Sequence, residues 1–174
     1  MTTSEGASSL RSGEERHLTH LQLREIQAPV ALALLRAFEN ALGAEHARRV
    51  ASAGIAEDAR RSGEARRSPS GKNPLEVLEH IVREEWAAGG ALEVEFLERN
   101  AATLRFRVLR CAYVALYEGL GAREQGFCLS CSRDGAFAQG LDPRLRLERN
   151  ATLMEGAPCC DFLFRLEEPE IPAE

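Results

Sequence analysis

Between residues 89 and 110 the chain changes its hydrophobic period, and this change limits the fold more than any other feature of the sequence. Gly89 and Gly90 close a helical stretch. ALEVEFLE then alternates Leu92, Val94 and Phe96 with charged residues, and TLRFRVLR alternates Leu104, Phe106 and Val108 with arginines. Successive side chains on a strand point to opposite faces, so each segment has one apolar and one charged face. Four turn-like residues, Arg99 to Ala102, separate them, which predicts a β-hairpin. The charged faces differ in sign, Glu93 and Glu95 against Arg105 and Arg107. That favours pairing, although each exposed pair contributes little.

Two further strands are predicted, from about Arg144 to Arg149 and from Cys160 to Leu166. The hairpin and these strands make an antiparallel sheet of about four strands with helices on one face, an α+β fold. Residues 1 to 17 are polar and predict a disordered tail. Residues 18 to 66 read as a helical region. Ile26, Val30, Leu34, Leu35 and Phe38 recur at three- and four-residue spacing, Pro29 either starts or kinks that helix, and Gly43 stops it. The helix that follows is more polar, with a thin stripe containing Val50 and Ile55. After the loop RSPSGKN, Asn73 caps a helix with Pro74 at its first position, and Leu75, Leu78, Ile81, Val82 and Trp86 share one face. Residues 74 to 167 form the α+β core, including short helices over Cys111–Leu120 and over about 127–139. An acidic tail, 168 to 174, is expected to stay unfolded.

At 174 residues one compact domain is expected. The net charge of −5 gives no basic field for nucleic acid or anionic lipid. No apolar run approaches the roughly 20 residues that span a bilayer. The opening stretch has no apolar core of the secretory kind, which predicts a cytoplasmic location where thiols stay reduced. The partner these features leave is a small-molecule substrate, and they set no oligomeric state.

The cysteines therefore carry the chemical interest. There are five, Cys111, Cys128, Cys131, Cys159 and Cys160, an odd number that argues against a disulfide framework. Cys128 and Cys131 have C-x-x-C spacing, yet a structural zinc site needs a second pair, and adjacent Cys159 and Cys160 point to opposite faces of a strand. Dithiol redox use wants a parallel β-α-β setting, and the strands here read as antiparallel. Cys131 and Asp134 are better placed. On a helix their spacing sets them on one face, as nucleophile and proton carrier or as a soft-metal pair. The carboxylate does not lower the thiol's pKa, so activation has to come from a helix N-terminus or from Arg133, Arg144, Arg146 or Arg149. Cys111 at a helix start is favoured as thiolate. Tyr113 and Tyr117, one helical turn apart, read as core or pocket wall. Cys160 shares a strand face with Phe162 and Phe164. Cys128 and Cys159 read as structural.

The order Arg110-Cys111-x-Tyr113, Leu120-Gly121, Cys131-x-x-Asp134, Thr152-Leu153-x-x-Gly156 and Cys160-Asp161-Phe162 resembles the L-2-amino-thiazoline-4-carboxylic acid hydrolase family, most clearly from about Leu104 to Phe164. The resemblance implies hydrolytic opening of a cyclic amidine-like C=N/C–S ring to a carbamoyl-cysteine. It points to Cys111, Cys131, Asp134 and Cys160 as catalytic positions. The reading that follows has Cys131 as nucleophile, Asp134 as proton shuttle, Arg149 at the substrate carboxylate and Tyr113 and Tyr117 beside the substrate, with no cofactor required. The alternative is a binding or sensor module in which Cys111, Cys131, Cys160 and Asp134 hold a soft metal or a small ligand.

Overall fold

A computed structural model describes residues 17–67 and 71–168. The expectations for the N-terminal tail and for most of the acidic C-terminal tail fall outside these residues. Helices α1 (His20–Leu42) and α2 (Ala44–Glu64) are followed by α3 (Pro74–Ile81), which runs on as a π-helical turn, Val82–Trp86. The hairpin is β1 (Leu92–Arg99) and β2 (Thr103–Cys111). Next come α4 (Ala112–Gly119), the single turn α5 (Arg123–Gly126), a second π-helical turn (Phe127–Cys131) and α6 (Arg133–Leu141). Strands β3 (Leu145–Glu148) and β4 (Cys160–Leu166) end the described chain. The four strands form an antiparallel sheet in the order β1-β2-β4-β3, so the α+β architecture is as the alternation implied.

Local chemistry explains most boundaries. Asn73 accepts a hydrogen bond from the Leu75 N–H at 2.8 Å, with Pro74 as the first helical residue. Helix α1 runs through Pro29, which does not start it. A reciprocal capping box between Thr19 and Gln22 starts the helix at His20, nine residues earlier, and Pro29 sits on the outward side. The hairpin register sets Glu95 opposite Arg107 and Glu98 opposite Arg105, with irregularities at Glu93/Val94 and Phe96/Glu98. Arg110 and Glu93 approach to 3.8 Å, both well exposed, a contact of little energetic weight.

The apolar face of β2, Leu104, Phe106 and Val108, packs with Phe162 and Phe164 of β4 against α3 and α6. Phe106 stacks on Phe162 with centroids 4.7 Å apart. A second core joins α1, α2 and α4 around Leu32, Leu35, Tyr117 and Leu129. The two cores meet where α2 crosses α6, the broadest helix–helix contact among the described residues. The backbones nearly touch there. A Cβ on Gly140 would lie 2.0 Å from the Arg60 carbonyl oxygen, and one on Gly63 would lie 2.1 Å from that of Phe137.

Neither neighbour is a flexible side-chain tip, so a methyl group forces the helices apart. Gly140→Ala is expected to destabilise the protein by about 1–3 kcal/mol in urea unfolding, against a stabilisation of about 0.5–1 kcal/mol for Gly54→Ala on the open side of α2. Equal effects at the two sites contradict this contact.

Candidate functional site

Where the helical layer leaves the sheet, a cavity of about 540 Å³ opens between the two cores. This is the size of an ordinary small-molecule site. Its floor is the apolar sheet face at Val108 and Phe162, and Trp86 and Phe137 form one wall, edge to face with centroids 5.5 Å apart.

Four elements bring the sequence-selected residues here. Cys111 ends β2 and is extended (φ −136°, ψ 114°) as the residue preceding α4. Cys131 closes the second π-helical turn, Asp134 lies in the first turn of α6, and Cys160 opens β4. All four line the cavity together with Tyr113 and Arg149. Tyr117 does not. One turn beyond Tyr113 its side chain enters the second core, where it is fully buried, and its hydroxyl has no hydrogen-bond partner. Cys128 is buried beneath Ser52, whose hydroxyl reaches its sulfur at 3.2 Å, and Cys159 is not in the cavity wall.

The electrostatics differ from expectation in three ways. Arg149 is not a free cation: its guanidinium pairs with Asp134 and donates to the Cys131 carbonyl at 2.9 Å, and only 8% of its side chain is exposed. The thiols are not activated. Burial, and then the neighbouring Asp134 charge, push the Cys131 thiol far above its ordinary range, with Arg149 opposing. Burial also raises Cys111, although the N–H groups of Tyr113 and Val114 pull the other way. The helix start is therefore outweighed by desolvation. Cys160 is lifted to about 11 by burial, against a 3.2 Å hydrogen bond from the Leu153 N–H. Finally, no group of three or more His, Cys, Asp or Glu side chains among the described residues is arranged to hold a metal ion. The four-residue soft-metal set is thus not assembled.

Burial also raises the Asp134 carboxyl, and Arg149 restrains that rise. Its partner keeps the carboxylate accessible as a charge, while desolvation makes protonation easier than in water. A carboxyl in that balance is suited to accept and return a proton.

Sequence reading missed Arg24. It projects from α1 into the cavity, forms no salt bridge among the described residues, and its Nε is buried without a hydrogen-bond partner. Burial lowers its pKa, yet a guanidinium stays charged. The available signal was a strip of His20, Arg24 and Gln27 at helical spacing on one side of α1, all three in the cavity wall. Arg133, by contrast, is taken by Asp58 at 2.9 Å.

Other elements of the motif order have structural work. The Thr152 hydroxyl accepts from the Glu155 N–H at 3.2 Å, and Gly156 (φ 95°) ends that 3₁₀ turn in the left-handed region. Asp161 accepts from the Asn150 and Ala151 N–H groups and fixes the loop before β4.

The family model described as L-2-amino-thiazoline-4-carboxylic acid hydrolase matches residues 23–164. No curated protein matches the chain. Among solved structures, the phenol-responsive sensory domain of the transcription activator PoxR, crystallised with phenol, is similar in fold. It is 18% identical with a TM-score of 0.50, over 80% of this chain and 73% of that one.

The native thiols are expected to titrate late. At about pH 8.5, where free cysteine is half ionised, ultraviolet thiolate absorbance should show Cys111, Cys131 and Cys160 still protonated. Because the unfolded chain loses these protons first, stability must fall as pH rises from there towards 11. A cavity thiolate already formed at neutral pH contradicts this account.

Proposed function

Because this chain belongs to the L-2-amino-thiazoline-4-carboxylic acid hydrolase family, we propose that its cavity binds a small cyclic amidine bearing a carboxylate and opens the ring by hydrolysis. The observation that carries the reading is the convergence on one cavity of a thiol, a buried carboxyl and an unpartnered guanidinium. Ring opening needs a nucleophile at the amidine carbon, a proton for the departing ring atom and a cation for the substrate carboxylate.

Arg24 takes the carboxylate, a role Arg149 cannot fill while Asp134 occupies it. Cys131 is the nucleophile, but with its thiol held protonated it attacks only as its proton passes to Asp134. Asp134 returns that proton to the departing ring heteroatom. Asp134, again a carboxylate, takes a proton from water as it adds to the same carbon and gives that proton to the departing Cys131 sulfur, leaving a carbamoyl group on the product. Arg149 orients Asp134 throughout, and Cys111, Cys160 and Tyr113 shape the wall beside the reacting carbon.

A second reading, ligand binding without turnover, draws on the same unactivated thiols. The fold is compatible with it, since the PoxR domain is titled a phenol-responsive sensory domain. A panel of thiazolines and related cyclic amidines separates the two. Turnover is expected with the wild type, reduced about 10²–10⁴-fold by Asp134→Asn and abolished by Cys131→Ser, with unchanged circular dichroism. Arg24→Met should cost about 10–100-fold in kcat/KM for carboxylated substrates, and little for the corresponding amides. Saturable, Arg24-dependent binding with every ring intact supports the second reading instead.

A further inference from the structure

Helix α1 is apolar on two sides. Its inner side supplies Ala28, Leu32 and Leu35 to the second core. Its outer side carries Ile26, Val30, Leu34, Phe38 and Leu42, each 51–65% exposed. Large side chains at four-residue spacing form a continuous ridge along a helix. Beside that ridge runs a second row at the same spacing, Pro29, Ala33, Ala37 and Ala41, which is also exposed and made of small residues. A ridge next to a groove of matching pitch is complementary to itself. Glu25 heads the small-residue row one turn before Pro29, and Arg36 flanks its far side, hydrogen-bonded to the Gly121 carbonyl at 2.7 Å.

A helix with large apolar side chains on two sides normally has both of them covered. Five such side chains present on the order of 500 Å² of apolar surface, the upper end for the largest patch on a monomer. Two copies packed face to face remove about 1,000 Å², the lower bound for a specific interface.

We propose that the outer face of α1 is the docking surface for a second copy of this chain. The ridge of each copy lies in the small-residue groove of the other, about a two-fold axis near Ala33, Leu34 and Ala37. The interface is isologous, so it closes at two copies.

Sedimentation velocity of the full chain over a concentration series tests this. The expected mass is twice 19.1 kDa, with dissociation on dilution. Leu34→Glu should give single chains whose circular dichroism and melting match those of diluted wild type. Ala37→Leu is the more discriminating variant. It fills the groove and should also weaken association, although it adds apolar surface. The proposal is overturned if the wild type keeps the mass of one chain at every concentration. It is equally overturned if Ala37→Leu strengthens association, or if Leu34→Glu unfolds a wild-type monomer, because the face would then be sticky or covered from within the chain.

Discussion

The contact at Gly63 and Gly140 holds the architecture together. With no side chain at either position, α2 lies directly on the backbone of α6. Helix α6 itself packs on the sheet through Phe137, Ala138 and Leu141. The helical layer is thereby fixed to the sheet at one end. At the other end α1 and α4 stand clear of the sheet, and the cavity is the space that remains. Its position follows from that crossing, because the same α6 that approaches α2 carries Asp134 in its first turn. Close packing transmits such a displacement with little loss. A shift of α6 by even a fraction of an ångström therefore moves the carboxyl relative to Cys111 and Cys160 on the sheet.

Within the cavity, desolvation outweighs every local activating effect on the thiols. The N–H groups at the start of α4 favour a Cys111 anion, and Arg149 favours one on Cys131, yet burial prevails at both. The single strong charge pair, Asp134 with Arg149, is buried with them. Removing either partner leaves the other charge without compensation, which is costly. The resting thiols are thus neutral beside a paired carboxyl. A free thiolate is not the resting state. Arg24 adds the one cation left open to a ligand among the described residues of the wall.

Much of this was legible in the sequence where a local rule dominates. The alternation around Val94 and Phe106 gave the hairpin, and Asn73-Pro74 marked the start of α3. Motif order singled out Cys111, Cys131, Asp134 and Cys160, but that they line one cavity was not legible, because they sit on four separate elements. What escaped reading depends on distance or on single-residue insertions. The π-helical turns at Val82–Trp86 and Phe127–Cys131 add one residue to a turn and leave no periodic trace. They also explain why Cys131 and Asp134 do not share one regular helix. Tyr117 shares a sequence spacing with Tyr113, but α4 runs between the two cores, so one turn carries the side chain from cavity to core. Arg149 was visible as a cation. Its commitment to Asp134 was not, because the pair closes across the loop after β3.

The central claim is that Cys131 becomes a nucleophile only as Asp134 takes its proton, with substrate already in place. Intact-mass analysis of protein quenched soon after mixing with a carboxylated 2-aminothiazoline tests it most directly. The account predicts a transient species heavier by one whole substrate, mapped by peptide digestion to Cys131 and missing in Asp134→Asn. Ring opening at full rate in Cys131→Ser, with no adduct on any cysteine of the wild type, would contradict it.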